Sequence, residues 1–419
     1  MRRREFARTF TLLLAAAGLA ACVADTGGGG YVPPAAVGAA PPVGSPGSPG
    51  GRVTILLPLT GPTAEVGQAM LRAAQLSLDQ PGAPPLDARD TAGTPGGAAD
   101  AAKAAIAAGT GMLLGPLTAG ETAAVAPLAK AAGVPVLAFT SDATLAQAGV
   151  WTLGITPGQQ MRRLVPAVQA EGRTRIAAVL PKNAFGDALE NGVTAAAAAS
   201  GLAPPSVLRY GSGFPALNAA LKTVSDHDAR RGAIEQQQQA ARTRGDAEGR
   251  REAAEIGRQT PSPPPFDALL LGAAGEPLGQ ALPLLTFYDI GPGQVRILGP
   301  ALWSREASRL PALAGAWYAG PDPAQRAQFE QAYAAKYNAP PRDLASLAYD
   351  AAGVARVAAG SGGFTPDALS RPEGFTGADG LLGLLPDGQV RRGLAIFEIS
   401  QGGSRIVQPA PQSLQAPGV

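Results

Sequence analysis

Cysteine and histidine are nearly absent from the 419-residue chain, and this excludes several kinds of chemistry. Cys22 is the only cysteine, so no disulfide can form within the chain. His227 is the only histidine, and it lies in a charged, helix-like stretch. A catalytic triad is therefore not expected, nor is a metal site built on clustered histidine and cysteine. We predict a protein that is not an enzyme and that carries no metal or cofactor.

Charge of one sign is also scarce, because the formal net charge is +2 and only 16% of residues are charged. No basic stripe interleaved with aromatic residues is present, so no nucleic-acid partner is expected. Glycine and proline, by contrast, are abundant, at 55 and 40 residues. They dominate residues 23–51, which we predict to be a flexible tether, and the composition of residues 403–419 predicts a loose tail.

The start of the chain has the pattern of a secretory signal. A basic segment, "MRRREFAR", precedes an apolar run of about 14 residues, which is shorter than the roughly 20 needed to span a bilayer as a helix. The run ends in Leu19-Ala20-Ala21-Cys22, which resembles a bacterial lipobox, so residues 1–22 predict a lipoprotein signal peptide with lipidation at Cys22. The alternative is an ordinary cleaved signal. Because Val23 replaces the aspartate associated with inner-membrane retention, anchoring in the outer membrane is favoured.

From Arg52 onward, strand-like and helix-like segments alternate. Short β-branched or apolar runs such as "RVTILLPL" and "VPVLAFT" are separated by helical segments of ordinary length. The series restarts at "RIAAVLP". This alternation predicts an α/β fold with two lobes, each a parallel sheet flanked by helices.

The segment "GPLTAGET", Gly115–Thr122, is one substitution away from a phosphate-binding loop. The lysine of that pattern is replaced by Glu121, which would place a negative charge among phosphate oxygens. A nucleotide site is therefore not expected. The same segment is predicted to open a helix, whose N-terminal N–H groups favour a carboxylate or another anionic ligand group.

The order of these motifs resembles the type I periplasmic binding proteins of the leucine/isoleucine/valine-binding group. The segments that carry the resemblance include "VTILLPLTGPTAEVGQAM", "LLGPLTAGETAAVAPLAKAAGVPVLAFTSDAT" and "FTGADGLLGLLPDGQVRRGLAIFEI", the last with a turn at Asp387-Gly388. The resemblance implies two lobes joined by three hinge segments around a ligand cleft. It implies that residues 52–156 and 316–362 form lobe one. Residues 157–315 and 363–402 would then form lobe two.

The resemblance also implies the residues of a site for an amino-acid-like ligand. The loop that holds the ligand carboxylate matches Thr118 and Ala119, and a second segment matches Thr140, Ser141 and Asp142. Asp142 has an alternative role as the N-cap of the following helix. Two residues of lobe two, Phe185 and Trp303, are expected on the opposite wall. The acidic anchor for the ligand's ammonium group is missing, because Ala301 to Trp303 stand in its place.

A charged insert at residues 226–265 departs from the family pattern. Its content of Arg, Glu, Gln and Ala predicts two helices that form a polar hairpin on lobe two, either as a solvated decoration or as an arm that binds a partner. A lipobox, a tether, altered ligand anchors and this insert together resemble the penicillin-binding protein activators. That resemblance implies a regulator whose partner is a peptidoglycan synthase. The alternative is a receptor that delivers an amino-acid-like solute to the permease of an ABC transporter.

Overall fold

The computed structural model describes residues 51–419, apart from residues 260, 292, 308, 310 and 417. The predicted signal peptide, Cys22 and residues 23–50 of the predicted tether lie outside the described residues. Among the described helices, none combines the length and the apolar character required to cross a membrane.

The first sheet has five parallel strands in the order β2-β1-β3-β4-β5. They are β1 (Val53–Leu57), β2 (Leu86–Asp90), β3 (Met112–Leu114), β4 (Val136–Ala138) and β5 (Val150–Thr152). Helices pack on both faces: α1 (Ala64–Ser77) and α11 (Ala345–Gly360) on one, α2 (Pro95–Ala107) and α3 (Ala119–Ala132) on the other. Because both faces are covered, a strand such as β1 is apolar along nearly its whole length and is fully buried.

The second sheet has seven strands in the order β15-β14-β10-β9-β8-β6-β7, of which β6 to β10 are parallel. They are β6 (Ile176–Pro181), β7 (Ser206–Tyr210), β8 (Ala268–Leu271), β9 (Arg296–Leu298), β10 (Trp317–Gly320), β14 (Ala395–Ser400) and β15 (Gly403–Gln408). One face is covered by α4 (Pro157–Ala170) and α5 (Ala184–Ala199), and the other by α6 (Phe214–Val224) and α9 (Glu276–Phe287). The two sheets confirm the predicted α/β class.

A third, antiparallel sheet consists of β11 (Phe375–Gly377), β12 (Gly380–Leu384) and β13 (Val390–Arg392). The turn between β12 and β13 contains Gly388 at a φ of 88°, and its N–H donates to the Leu385 carbonyl. Side chains of this sheet share the core of the first sheet, together with the short helix α12 (Pro366–Leu369). Nearby, α10 (Pro323–Tyr337) packs against α1 and α11.

The chain passes between the two large lobes at three places, residues 153–156, 321–322 and 393–394. Two of the lobe boundaries expected from the sequence differ from those in the structure. Residues 316–320 lie in lobe two, because β10 pairs with β9 and β14. Residues 364–392 lie in lobe one, because Phe375, Leu382 and Val390 are buried against the first sheet.

The segment predicted to be a loose tail is partly ordered. Its first residues form β15, which pairs antiparallel with β14. Farther on, Leu414 is buried against Leu381 of the third sheet. Gly374 and Gly383 make room for Leu414, since a Cβ on either glycine would lie 2.8 Å or 2.4 Å from the Leu414 side chain. Residues 403–419 therefore tie the second sheet to the third.

Two helices occupy the insert, and we call them the hairpin arm. They are α7 (His227–Thr243) and α8 (Ala247–Ile256), joined by residues 244–246. Ile234, Ala241, Ala253 and Ile256 form a small apolar interior between them, separate from the cores of the lobes. His227 belongs to the base of the arm, where its ring packs against Tyr288 with centroids 4.9 Å apart.

Candidate functional site

A cavity of about 400 Å³ lies where the strands of the first sheet end, and we call it the front pocket. Parallel α/β sheets bind their ligands at the carboxyl ends of the strands, and this pocket uses the ends of β3, β4 and β5. Its lining consists of Leu117, Phe139, Thr140, Ser141, Gly154, Ile155, Arg326, Asp343, Leu344, Ser346, Leu347 and Asp379. Half of these twelve residues carry a hydroxyl or a charge, so apolar and polar groups share the walls.

Thr140 and Ser141 are the predicted site residues that line the front pocket. Thr140 is buried, and its hydroxyl accepts a hydrogen bond from the Asp142 N–H at 3.1 Å. Ser141 is exposed. It lies against Gly154, where a Cβ would be only 2.6 Å from the Ser141 nitrogen, so glycine is required for this close approach. The pocket therefore offers two hydroxyl groups at its edge.

Asp142 has the capping role that the sequence left open as the alternative. Its carboxylate accepts hydrogen bonds from the N–H of Thr144 at 3.0 Å and from the Thr144 hydroxyl at 2.6 Å. It thereby caps a short 3-10 helix, residues 143–145, and it is not among the pocket-lining residues.

Thr118 and Ala119 lie at the start of α3, outside the lining of the front pocket. Thr118 and Glu121 form a capping box: the Thr118 hydroxyl accepts from the Glu121 N–H, and the Glu121 carboxylate accepts from the Thr118 N–H at 2.9 Å. The N–H groups of Thr118 and Glu121 are therefore already paired. Binding of an anionic ligand at this helix end stays a prediction, and it concerns the N–H groups of Ala119 and Gly120.

The two predicted residues of lobe two belong to its core. Trp303 is fully buried, and its indole N–H donates to the Ala273 carbonyl at 2.7 Å. It packs on Gly299, where a Cβ would lie 2.2 Å from the indole ring. Phe185, in the first turn of α5, packs against the interior beneath α4 and α5. Neither residue lines the front pocket.

Three residues that sequence reasoning missed form a polar network in the front pocket. Arg326 of α10 donates from Nε to Asp379 at 3.1 Å and from Nη2 to the Ser346 hydroxyl at 3.2 Å. Ser346 in turn donates to Asp379 at 2.9 Å. Asp379 is 1% exposed, so a guanidinium and a hydroxyl compensate its buried charge. These residues come from helices and a turn far apart in sequence, and no local motif marks them.

A second carboxylate of the front pocket, that of Asp343, forms an ion pair between the lobes. Asp343 lines the pocket and accepts a hydrogen bond from Arg305 at 2.6 Å, and both side chains are largely exposed. Arg305 ends the short 3-10 helix of residues 301–305 that follows β9. The expected acidic anchor is missing from residues 301–303, yet Asp343 and Asp379 bring carboxylates to the pocket from a later part of the chain.

A buried ion pair lies behind this network. Asp350 of α11 and Arg392 of β13 are both fully buried, with Arg392 Nη1 3.4 Å from the Asp350 carboxylate. Burial and, secondarily, the neighbouring charge of Asp379 raise the pKa of Asp350 to about 7. Arg392 also donates to the Leu153 carbonyl at 2.8 Å, so it connects α11 to the first segment that crosses between the lobes.

Within the described residues, no group of three or more His, Cys, Asp or Glu side chains is arranged to hold a metal ion. For ligands other than metals, the front pocket offers hydroxyl groups, a paired guanidinium and carboxylates. This set suits hydrogen bonding to a small polar ligand with an apolar portion.

Residues 52–224 match the model of a family described as periplasmic binding protein. Among curated protein sequences, none is significantly similar to the chain. A solved structure from Rhodospirillum rubrum, assigned to a branched-chain amino acid ABC transporter, is similar with a TM-score of 0.64 and 19% identity. The similar region covers 85% of this chain and 100% of that one.

Two further similar structures are of LpoA from Haemophilus influenzae. Full-length LpoA has a TM-score of 0.63 at 15% identity; 87% of this chain and 60% of that chain are covered. The LpoA C-domain, described as a regulator of PBP1A, has a TM-score of 0.58 at 16% identity, with 85% and 99% covered. The chain thus spans about three fifths of full-length LpoA. Residues 52–224 thus match the periplasmic binding protein family, and the chain has the two-lobed fold of the type I periplasmic binding proteins.

Proposed function

We propose that the chain is a lipid-anchored envelope protein that regulates peptidoglycan synthesis, held at the outer membrane through Cys22. The similarity to the LpoA C-domain supports this role, because that domain is described as a regulator of PBP1A. The hairpin arm is the main observation behind the proposal. Its exposed surface can contact a protein partner, and this surface is not needed to form the ligand cleft.

The base of the hairpin arm is fixed to lobe two by two arginines. Arg230 is buried and donates to three carbonyls, those of Ser225 at 2.7 Å, Ser262 at 2.9 Å and Tyr288 at 2.6 Å. Arg231 pairs with Asp289, with Nη2 2.9 Å from Oδ1 and Nε 3.3 Å from Oδ2. The arm is therefore held in one orientation, which lowers the entropic cost of docking a partner.

The outer part of the arm is polar and carries charges of both signs. Its exposed side chains include Gln236, Gln237, Gln239, Arg242, Arg244, Arg250, Arg251, Glu252 and Glu255. Arginine is enriched in protein interfaces, where its planar guanidinium makes several hydrogen bonds. The arm thus suits a polar protein surface better than a small solute.

A variant that lacks only the tip of the arm tests this role. Residues 239–252 are replaced by a short Gly-Ser linker, which keeps Arg230, Arg231 and the Gln238 hydrogen bond to the Ala253 carbonyl. Affinity for the purified bifunctional penicillin-binding proteins of the same cell is then measured. We expect the tip variant to lose binding and the Thr140→Ala/Ser141→Ala variant to keep it. Equal binding by the tip variant, or none by the wild type, refutes the proposal.

The front pocket supports a second candidate, a receptor that delivers an amino-acid-like solute to an ABC permease. Thr140 and Ser141 would hold the ligand carboxylate, and Asp343 or Asp379 would take the place of the missing ammonium anchor. Calorimetric titration with leucine, isoleucine and valine tests this candidate. Thr140→Ala/Ser141→Ala should abolish binding, while Ser206→Ala, at an exposed hydroxyl on lobe two, should not. Absence of any binding by the wild type would exclude it for these ligands.

The anchor is tested by following radiolabelled palmitate. The wild type should take up label and fractionate with the outer membrane, because the several acyl chains of a bacterial lipoprotein together give a stable anchor. Cys22→Ser should carry no label. An unlabelled wild type in the soluble periplasmic fraction would exclude lipidation and would favour the receptor over the regulator.

A further inference from the structure

A cavity of about 300 Å³ lies at the end of the first sheet opposite the front pocket, and we call it the lower groove. It is lined by the segments that lead into β4 and β5, by the C-terminal end of α3 and by α12. Its floor includes Trp151, Phe364 and Leu369, and its rim includes the exposed Ala148 and Pro386. It shares no lining residue with the front pocket.

The chemistry of the lower groove favours an apolar chain segment over a polar solute. Lys130 and Ser370 are the hydrophilic side chains among the described residues that line it. The Trp151 indole N–H is already used, because it donates to the Leu385 carbonyl at 2.7 Å. Aromatic-lined grooves of this kind bind proline-rich segments in the polyproline II conformation, whose carbonyls have no internal hydrogen bonds. Lys130, exposed at the rim, can donate to such a carbonyl.

The described part of the chain begins beside this groove. The Arg52 carbonyl accepts a hydrogen bond from the Gly111 N–H at 2.8 Å. The Phe364 ring packs on the same glycine, where a Cβ would lie 2.8 Å from the ring. Gly111 thus lies between the start of the described chain and the floor of the groove.

Strand spacing shows that the preceding residues can reach the groove. The strands are parallel in the order β1-β3-β4-β5, so their N-terminal ends lie at one edge of the sheet. Two or three strand spacings place the start of β1 about 10 Å from β4 and about 14 Å from β5. About four extended residues cover this distance. A chain that leaves the domain at Gly51 can therefore enter the groove directly.

The sequence before Gly51 has an apolar residue at every third position. Residues 43–49 read "VGSPGSP", in which Gly-Ser pairs separate Val43, Pro46 and Pro49. Because polyproline II has three residues per turn, this spacing predicts that the three apolar side chains share one face. The small Gly-Ser pairs fall on the other faces. We call Val43, Pro46 and Pro49 the tether stripe.

We propose that the lower groove binds residues 43–49 of the same chain, with the tether stripe against the floor of the groove. Weak intrinsic affinity is enough, because the short connection through residues 50 and 51 holds the segment at a millimolar or higher effective concentration. This contact sets the orientation of the domain on its tether. The tether leaves lobe one at the N-terminal edge of the first sheet, and the front pocket faces the other way. Binding in the groove applies to a regulator and to a receptor alike, whereas an orientation relative to the membrane rests on the proposed anchor at Cys22.

The experiment is disulfide cross-linking in the full chain. Cys22→Ser removes the native thiol, so that two engineered cysteines are the only ones present. The test pair is Ser48→Cys in the tether and Ala148→Cys on the rim of the groove. The control pair joins Ser48→Cys to Gln80→Cys, an exposed position before β2, on the other side of β1. Under mild oxidation the test pair should close about tenfold faster than the control pair, because docking raises the local concentration of one thiol at the other.

Matched tether variants assign the effect to the stripe. Val43→Ser/Pro46→Ser/Pro49→Ser keeps the chain length but removes the stripe, and it should slow the test pair to the rate of the control pair. Pro41→Ser/Pro42→Ser removes two prolines outside the stripe and should leave the rate unchanged.

Three outcomes overturn the proposal. The first is equal rates for the test pair and the control pair. The second is a stripe variant that closes as fast as the chain with an intact stripe. The third is a disulfide between two chains, seen as a dimer on a non-reducing gel, because the occupant of the groove is then a second copy.

Discussion

Glu121 is a fully buried carboxylate in the first turn of α3. It accepts hydrogen bonds from the Thr91 hydroxyl at 2.5 Å, the Thr118 N–H at 2.9 Å and the Thr118 hydroxyl at 2.8 Å. These bonds join the ends of two strands of the first sheet to the start of the helix. A negative charge at this position is also favoured by the helix dipole. Glu121 is therefore part of the scaffold beside the front pocket.

Glu121→Lys should destabilise the domain without creating a nucleotide site. The substitution completes the sequence pattern of a phosphate-binding loop, but it leaves three donors without an acceptor and buries an ammonium at the positive end of a helix. We expect the free energy of unfolding to fall by about 3–5 kcal/mol. Urea denaturation measures this loss, and titration with a fluorescent ATP analogue measures nucleotide binding. Glu65→Lys, in the exposed first turn of α1, is the control and should cost less than about 1 kcal/mol. Tight nucleotide binding by Glu121→Lys would contradict this account.

Asp350 should make stability decrease as the pH rises. Its pKa is raised to about 7 in the folded protein, first by burial and then by Asp379, whereas an unfolded aspartate titrates near 3.9. The folded state therefore binds more protons than the unfolded state between about pH 4 and pH 7. The stabilising contribution is complete below pH 4 and is lost as the pH rises through 7.

The variant Asp350→Asn isolates this effect, because asparagine resembles the protonated acid. The free energy of unfolding of the wild type, minus that of the variant, should decrease from pH 4 to pH 7. Urea denaturation at several pH values gives this difference and cancels the other titrating groups. A difference that is constant, or that increases with pH, would show that Asp350 is ionised throughout.

Single residues differ in how well their roles could be predicted from the sequence. The Thr118-to-Glu121 spacing is a capping-box pattern, so the buried role of Glu121 was in principle visible, although the helix end was expected to face a ligand. Thr140 and Ser141 lie at the ends of the strands and line the front pocket, and their role in ligand binding stays a prediction. The Arg326 and Asp379 pair could not be predicted, because only the packing of α10 against the third sheet brings them together.

At the scale of elements, the hairpin arm is attached by a few strong contacts at its base. Its apolar interior is small and does not join the cores of the lobes. The arm should consequently contribute little to global stability, apart from the buried Arg230, whose guanidinium satisfies three carbonyls.

Arg230→Ala should lower the free energy of unfolding by about 3 kcal/mol, since it leaves buried carbonyls unpaired. Arg231→Ala is the matched control, and it should cost about 1 kcal/mol or less because its ion pair with Asp289 is partly exposed. The tip variant that replaces residues 239–252 should unfold at nearly the wild-type urea concentration. A large loss of stability in the tip variant would show that the arm is a structural part of lobe two.

The strands and helices were predicted better than the lobe to which each of them belongs. The alternation of apolar runs and helical segments indicated the strands and helices of both sheets. Whether β10 belongs to one lobe or the other depends on its pairing with β9 and β14, which no local pattern encodes. The docked tail was missed because its composition is that of a linker. The position where Leu414 is buried is visible only in the structure, in which Gly374 and Gly383 leave space for its side chain.

At the scale of the whole molecule, the lobes are linked by three chain crossings and by contacts between distant segments. Arg392 joins α11 to the first crossing at Leu153, and Gln159 of α4 donates to the Val390 carbonyl at 2.8 Å. The exposed Arg305 and Asp343 pair also spans the lobes, and such a pair is worth about 1 kcal/mol or less. The relative position of the lobes is thus set mainly by the buried contacts.

We propose that this two-lobed protein regulates a peptidoglycan synthase through its hairpin arm. The most direct measurement is the rate of peptide cross-linking by purified bifunctional penicillin-binding proteins of the same cell. It is measured with the full chain, with the tip variant that replaces residues 239–252, and with Thr140→Ala/Ser141→Ala. We predict that the full chain and the front-pocket variant raise the rate several-fold and that the tip variant does not. An unchanged rate with the full chain, together with tight amino-acid binding that Thr140→Ala/Ser141→Ala abolishes, would contradict the claim and establish a solute receptor instead.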